Sequence, residues 1–266
     1  MLDEEGADRA GAIATVVVGL ASRGKNSIGP TVRHAFEGSS FQLSAGGEND
    51  TAGWTTWGRV ATGGFEGVED DTRLDGKVTS AFLGADVERG RWLGGLAFGT
   101  SKGKSEFSLV DGTAPGTVET TVKALYPYAR MKATSTLEFW DLAGFGAGNL
   151  MLKTDDGQRF KTEFDMTMGA IRASGDLLSP SRAEDLAVCL KADAQWVRTT
   201  SDGARSQTGD LGASRSDTSR TRLAIETSRT MGVGGGKFTP SAELGLRYHV
   251  GDAETGAGLE AGGALA

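Results

Sequence analysis

The feature that most constrains the fold of this chain is an alternation of apolar and polar side chains with a period of two. It is clearest from Leu186 to Trp196, which reads LAVCLKADAQW, with apolar residues at every even position and Cys, Lys, Asp and Gln at odd positions. Successive side chains of an extended strand point to opposite faces, so this period predicts a strand with one apolar and one polar face. Similar segments recur between Gly, Asp and Ser clusters, which predicts an all-β, up-and-down series of antiparallel strands.

Counting these segments predicts about ten strands of roughly 10 to 14 residues, longer than the ~5 to 6 residues typical of soluble sheets. The chain of 266 residues is long enough for one large β domain. Residues 1–38 show no strong period, and we expect an irregular or short helical lead-in there. The β domain is expected to occupy residues 39–266.

Composition and charge exclude several classes of protein. The chain carries 35 acidic and 28 basic residues in mixed clusters, for a formal charge of −7, which argues against nucleic-acid binding. The longest apolar run, Ala12 to Ala21, is shorter than the roughly 18 residues of a membrane-spanning helix. Acidic residues at positions 3 to 5 also argue against a secretion signal there, so the true start is expected upstream or the chain is a fragment.

The alternation fits two architectures that are inverses of each other. A soluble sandwich or barrel, serving as a binding module, turns its apolar face inward, whereas a transmembrane barrel turns that face toward lipid around a polar lumen. Strand length favours the transmembrane barrel, because a tilted span needs about 9 to 11 residues. Aromatic residues near predicted strand ends favour it too, since such barrels carry aromatic girdles; these are Trp54, Trp92, Tyr128, Trp140, Trp196 and Tyr248.

In a transmembrane barrel the alternation also assigns side chains to faces. The charged positions offer both signs at the spacing of strand neighbours and are predicted to face the lumen: Lys191, Asp193, Arg222, Glu226, Glu243 and Arg247. The apolar positions between them are predicted to face lipid: Val188, Leu190, Trp196, Leu223, Ile225, Leu244, Leu246 and Tyr248. An ordinary solvated surface remains the alternative for the charged set, because exposed ion pairs contribute only about 0 to 1 kcal/mol.

No arrangement of residues predicts catalysis, a cofactor or a metal. The acidic run EDDTRLD from Glu69 to Asp75 lacks the ligand spacing of a calcium loop. The word GVGGGK near Lys237 is read as a hairpin turn, since its spacing is not that of a phosphate loop. Cys189 is predicted to be a small filler on the polar face. Gly144, Gly146 and Gly148 share one strand face and indicate either sheet curvature or close approach of neighbouring segments.

Several ordered segments resemble the autotransporter β-domain of Gram-negative outer membranes, from about Ser39 to the end of the chain. They are GWTTWGRVATGGFEG, KVTSAFLGADVERGRWLGGLAFGTSKGKSEF, LYPYARMKATSTLEFWDLAGFGAGNL, TDDGQRFKTEFDMTMGAIRASGDLL and FTPSAELGLRYHVGDAETGAGLEAGGALA. The resemblance implies an antiparallel outer-membrane barrel of about twelve strands that anchors and helps export an N-terminal passenger, with no active site. It also implies outer-membrane lipid, the barrel assembly machinery and a passenger absent from this chain as partners.

Two features depart from that family's pattern. The family usually continues through further strands to an aromatic last residue, whereas this chain ends at Ala266, so about ten of about twelve strands are expected, with a possible truncation at the C-terminus. Neither a passenger nor a pore-threading helix is recognisable in the first thirty or so residues. The prediction is therefore an outer-membrane barrel that is not an enzyme.

Overall fold

The computed structural model describes residues 40–45, 53–69, 72–109, 115–155, 157–178, 186–205, 210–211, 213–233, 236–252 and 256–265. These residues form β-strands and the connections between them. Within these ranges there is no helix with the length and apolar character to cross a membrane. The predicted lead-in, residues 1–38, lies outside the described residues.

Fifteen strands follow one another along the described chain, eleven in one sheet and four in two small hairpins. The strands of the main sheet are β1 (Ser40–Ala45), β2 (Gly53–Glu69), β3 (Thr72–Arg89), β4 (Trp92–Leu109), β5 (Gly116–Lys132), β6 (Leu137–Thr154), β7 (Arg159–Leu178), β8 (Leu186–Ser201), β11 (Ser214–Arg229), β14 (Pro240–Gly251) and β15 (Gly256–Leu265). The hairpin strands are β9 (Ala204–Arg205) with β10 (Asp210–Leu211), and β12 (Met231–Val233) with β13 (Gly236–Phe238).

The main sheet has the up-and-down topology that the alternation predicts. Its order is β1-β2-β3-β4-β5-β6-β7-β8-β11-β14-β15, so each strand pairs with its sequence neighbours within the sheet, and every pairing is antiparallel. One irregularity occurs between Asp176 and Leu178, where β7 meets β8. The all-β, antiparallel fold class is confirmed.

Most strands are longer than predicted. β2 to β8 and β11 contain 16 to 20 residues each, against the roughly 10 to 14 expected. The extra residues are polar on the outward side, as at Lys102, Lys104 and Glu106 of β4. The alternation between apolar and polar residues disappears in these extra residues. The strand ends predicted from the alternation therefore lie inside the strands that the structure shows.

Tight turns close the hairpins where the sequence predicted them. β3 turns into β4 through Gly90 and Arg91, and Gly90 has a φ of 59°, which a side chain would disfavour. β6 turns into β7 at the Asp-Asp-Gly segment, where the N–H of Gly157 donates to the carbonyl of Thr154 at 3.0 Å. Within the word GVGGGK, Gly232 and Val233 of β12 pair with Lys237 and Gly236 of β13, which is the pairing that a hairpin predicts. The strands of the sheet end in turns at two opposite ends. We call the end that contains the turn at Gly90 the lower end and the end that contains the turn at Gly157 the upper end.

The sheet has one buried and one exposed face, and both carry apolar residues. A continuous apolar cluster lies on the buried face, mostly from β2 to β7. Its members include Trp57, Phe82, Leu93, Val118, Val122, Tyr128, Trp140, Leu150, Phe160, Phe164, Met166 and Met168. The expectation that Tyr128 and Trp140 belong to an outward girdle is therefore wrong. Both sit on strands with apolar residues on each face, so alternation alone could not assign them.

Candidate functional site: the buried face of the sheet

Asp193 of β8 is the centre of a group of ion pairs on the buried face. The register places it directly opposite Arg172 of β7 on one side and Arg222 of β11 on the other. Its Oδ2 accepts hydrogen bonds from Arg172 Nη2 at 3.2 Å and from Arg222 Nε at 2.9 Å. One carboxylate thus joins three consecutive strands of the sheet.

The ion pairs continue across the next two strands. Lys191 Nζ lies 2.6 Å from Glu226 Oε2 and 2.9 Å from Glu243 Oε2. Arg222 Nη1 donates to Glu243 Oε1 at 2.7 Å and lies 3.6 Å from Glu260 Oε1 of β15. We call the whole set the charged ladder: Arg172, Lys191, Asp193, Arg220, Arg222, Glu226, Glu243 and Glu260.

The charged ladder is balanced and largely shielded from solvent. It contains four cations and four carboxylates, so its formal charges cancel. The side chains of Arg172 and Arg222 are each 1% exposed, and that of Asp193 is 9% exposed. Charges removed from water require partners, because an isolated buried ion costs several kcal/mol. Each of these arginines therefore depends on the carboxylates around it.

The structure brings together most of the charged residues singled out from the sequence. Lys191, Asp193, Arg222, Glu226 and Glu243 all belong to the charged ladder. Arg247 is opposite Arg222 in the register, on the same face, with its side chain over Gly258.

Three members of the charged ladder were missed in the sequence: Arg172, Arg220 and Glu260. Arg172 had a usable signal. It continues the stripe of Phe164, Met166, Met168 and Ala170, and one arginine on an otherwise apolar strand face requires a buried partner. Arg220 had none of this kind, because the polar residues Ser219 and Thr221 flank it. Glu260 lies between Leu259 and Ala261, but the glycines and alanines of β15 leave no clear alternation to assign its face.

The apolar residues of the last strands lie on the opposite, exposed face. Leu223, Ile225, Leu244, Leu246 and Tyr248 are all exposed, and Leu223 is paired directly with Leu246, as Ile225 is with Leu244. Val188, Leu190 and Trp196 on β8 are partly exposed. The exposed face continues with large apolar side chains on earlier strands, including Trp54, Leu83, Trp92, Phe98, Leu125, Phe145 and Ile171. Soluble monomeric proteins rarely expose a continuous apolar surface of this extent.

The apolar part of the buried face is organised by a small polar contact. Trp57 Nε1 of β2 donates to the hydroxyl of Tyr128 of β5 at 2.8 Å. That hydroxyl donates in turn to Asp86 Oδ2 of β3 at 2.9 Å. The three groups lie within the apolar cluster and satisfy one another, which holds β2, β3 and β5 together.

Glycines give large side chains room to lie flat against this face. A Cβ at Gly148 would overlap the ring of Phe164, and one at Gly144 would overlap the side chain of Met168. The glycine series on β6 thus leaves space for side chains of the neighbouring strand β7. Its interpretation as a source of sheet curvature stays a prediction.

The remaining sequence candidates acquire no reactive geometry. Over the ranges that the structure describes, no three His, Cys, Asp or Glu side chains converge to hold a metal ion. Cys189 is half-buried on the same face as Lys191, with its Sγ 3.7 Å from the Leu190 carbonyl oxygen. This environment is that of a small filler between charged neighbours.

Comparison with known proteins agrees with this geometry. A family model described as the autotransporter β-domain matches residues 51–264. Among solved structures, the β-domain of the Bordetella autotransporter BrkA is similar, with a TM-score of 0.60 at 15% identity, over 82% of this chain and 86% of that one. The translocator domain of the autotransporter NalP from Neisseria meningitidis has a TM-score of 0.60 at 13% identity, over 97% of this chain and 85% of that one.

A search of curated protein sequences gives no match. The family match covers far more than half of the chain, and the two structural likenesses agree with it in fold. The chain therefore belongs to the autotransporter β-domain family, and it is an antiparallel β-barrel domain of a Gram-negative outer membrane.

Proposed function

We propose that this domain anchors an N-terminal passenger polypeptide in the outer membrane and helps to translocate it to the cell surface. The observation that carries the proposal is the inverted distribution of polarity: Arg172, Asp193 and Arg222 are buried, while Leu223 and Leu246 are exposed. A soluble domain arranges these groups the other way round. A barrel in lipid requires this arrangement, since its outer surface meets acyl chains.

In this proposal the buried face lines the lumen. The lumen-facing residues are Lys191, Asp193, Arg222, Glu226, Glu243 and Arg247, and their placement with the charged ladder supports the assignment. The lipid-facing residues are Val188, Leu190, Trp196, Leu223, Ile225, Leu244, Leu246 and Tyr248, and their full or partial exposure supports it.

The lumen proposed here has two unlike walls. One wall carries the apolar cluster of β2 to β7, and the other carries the charged ladder of β7 to β15. A polypeptide crossing it therefore meets apolar contacts on one side and fixed charges of both signs on the other. The formal charges of the ladder are paired with one another, although Arg172 Nε and Arg222 Nη2 have no hydrogen-bond partner among the described residues. We therefore expect the ladder to hold a chain in transit only weakly, as a passage requires.

The domain's role is structural and transport-related, with no active site of its own. We assign residues 39–266 to the barrel domain and residues 1–38 to a lead-in between the barrel and the passenger. Insertion into the outer membrane requires the barrel assembly machinery as a partner. No cofactor, metal or nucleic acid takes part.

The proposal is tested by fusing a reporter peptide with one cysteine upstream of the domain in Gram-negative cells. Protease added to intact cells is expected to remove the reporter while the barrel stays in the membrane. A reporter that stays protected in the periplasm, with the barrel correctly inserted, overturns the proposal.

A matched pair of variants tests the route. In a Cys189→Ser background, Thr120→Cys places a thiol on the buried face of β5, and Thr121→Cys places one on the exposed face. We expect a disulfide between reporter and barrel from position 120 and none from position 121 while the reporter is in transit. The reverse result excludes the lumen as the route.

A further inference from the structure

Four lysines form a cationic surface on the upper half of the exposed face. Lys77 lies on β3, Lys102 and Lys104 lie on β4, and Lys123 lies on β5. We call these four residues the lysine patch. All four are exposed, and they occupy three adjacent strands on the same side of the sheet.

The register shows how closely the four lysines are grouped. Lys77 is directly opposite Lys104. Lys102 is two residues before Lys104 and lies opposite Thr79 and Thr121. Lys123 is opposite Thr100 of β4 and is therefore the diagonal neighbour of Lys102. Diagonal neighbours lie only about 7 to 8 Å apart, so the four ammonium groups repel one another unless an anion lies among them.

Among the described residues no carboxylate forms an ion pair with a lysine of the patch, although Asp75 and Glu106 lie two residues from Lys77 and Lys104 on the same face. Glu119 is the acidic residue opposite Lys104, but its Oε1 pairs with Lys153 Nζ at 3.2 Å. Within the part of the chain that is described, none of the four lysines has an ion-pair partner. The next acidic residues, Asp75 and Glu106, face each other one row nearer the upper end. Elsewhere on the upper exposed face the charges are mixed, as where Arg198 and Arg215 flank Asp217.

The patch begins where the apolar surface of the same strands ends. Leu83, Phe98 and Leu125 form one row of directly paired, exposed residues across β3, β4 and β5. Lys123 follows two residues from Leu125 toward the upper end, and the Lys77–Lys104 pair lies four residues beyond the row of Lys123. Four residues of extended strand cover about 13 Å, so the patch extends outward from the edge of the apolar surface.

The position of the patch identifies the membrane side that it meets. At the lower end the hairpin of β3 and β4 turns immediately after Arg89, beside the exposed Trp92. At the upper end the same strands continue through Lys77 and Lys104 to Thr72 and Leu109. Outer-membrane barrels have short turns on the periplasmic side and project their long hairpins from the cell surface, so the upper end faces outward.

We propose that the lysine patch binds the phosphate groups of lipopolysaccharide in the outer leaflet. A phospholipid presents one phosphate in a thin plane, whereas lipopolysaccharide carries phosphates on its lipid A sugars and on the core sugars above them. Four cations spread over about 13 Å match the second distribution. The proposal rests on the lipid-facing role of the exposed face proposed above, and it adds a specific lipid partner.

The test compares two fourfold variants of the full chain, folded in detergent. The patch variant carries Lys77→Gln, Lys102→Gln, Lys104→Gln and Lys123→Gln. The control variant removes four cations that are spread over other positions of the exposed face and leaves the Lys153–Glu119 pair intact: Lys161→Gln, Arg198→Gln, Arg215→Gln and Arg229→Gln. Each is titrated with purified lipopolysaccharide, with dephosphorylated lipopolysaccharide, and with phosphatidylglycerol. Heat-modifiable gel mobility verifies that each variant is folded. If the fourfold patch variant does not fold, the double variant Lys77→Gln with Lys104→Gln replaces it in the titrations.

The patch variant is expected to bind lipopolysaccharide about 10- to 100-fold more weakly than the parent, since each lysine contributes to attraction by an anionic lipid surface. The control variant should lose less than about threefold, because its cations lie in mixed-charge surroundings. Binding by the parent should also fall when the phosphates are removed. Equal losses in both variants, or equal affinity for phosphatidylglycerol and lipopolysaccharide, overturn the proposal.

Reporter export distinguishes this proposal from the proposed function. The patch variant should still export the reporter, because its substitutions lie outside the lumen. Normal export with unchanged lipopolysaccharide binding refutes the patch alone, while failed export by the parent chain refutes the translocation role.

Discussion

Trp57 Nε1 donates a hydrogen bond of 2.8 Å to the hydroxyl of Tyr128, which follows it by 71 residues in the chain. The bond crosses the buried face from β2 to β5, over the two strands between them. Tyr128 passes the interaction on by donating to Asp86 at 2.9 Å. A contact of such sequence separation forms only when four strands have the correct register, so it reports on the assembled sheet.

Removal of this hydroxyl is expected to destabilise the barrel. Tyr128→Phe deprives the buried Trp57 indole of its acceptor and Asp86 of a donor, for a cost of about 1 to 3 kcal/mol. Tyr248→Phe is the matched control, because Tyr248 is 52% exposed on the opposite face. The free energy of unfolding of the lipid-folded protein, from urea titrations followed by tryptophan fluorescence, measures both. Equal effects of the two substitutions would refute a structural role for the Tyr128 hydroxyl.

Gly95 is expected to be required for the position of the Tyr128 ring. A Cβ at Gly95 would overlap that ring, whereas a Cβ at the neighbouring Gly94 would meet nothing within 4 Å. Gly95→Ala should therefore destabilise the protein by about 1 to 3 kcal/mol, as overpacking does. Gly94→Ala should be neutral or stabilising by roughly 0.4 to 1 kcal/mol. The same urea titrations measure the free energy of unfolding of both variants. A larger destabilisation by Gly94→Ala than by Gly95→Ala would contradict the assignment of Gly95 to the buried face and Gly94 to the exposed face.

The sequence predicted the strands and their topology better than it predicted which face of each strand is buried. Alternation on β8, β11 and β14 predicted both the strands and the grouping of Leu223, Ile225, Leu244 and Leu246 on one side, because their other face is charged. On β5 that reasoning could not place Tyr128, since Leu125 and Pro127 make the other face apolar as well. Which face is buried depends on how the sheet curves, and no local pattern records that.

The charged ladder was partly predictable for a similar reason. Lys191, Asp193 and Arg222 stand out because charges of both signs alternate with apolar residues on their strands. Their actual partners depend on register, which places Asp193 between Arg172 and Arg222. Register is fixed by cross-strand packing and turns, so the sequence alone indicated a charged face without its pairing.

Neutralising the central carboxylate should destabilise the barrel more than neutralising an exposed one. Asp193→Asn leaves the guanidinium of Arg172 buried with no ion-pair partner among the described contacts of the ladder, which costs about 3 to 5 kcal/mol. Glu119→Gln, which breaks the exposed pair with Lys153, should cost only about 0 to 1 kcal/mol. Urea unfolding at low and high salt measures both, and a cost for Asp193→Asn as small as that of the control would show that water reaches the ladder.

A charge introduced on the exposed face should reveal where lipid begins and ends along the strands. Leu246 is 61% exposed within the apolar rows of β11 and β14, so Leu246→Arg should cost about 2 to 4 kcal/mol if it lies near the bilayer midplane. Thr200 is exposed at the upper end of β8, where Thr200→Arg should cost about 0 to 1 kcal/mol. The measurement is the free energy of unfolding in lipid vesicles of defined thickness. Equal tolerance of arginine at both positions would mean that Leu246 faces water, and the lipid-facing assignment of the exposed face would fail with it.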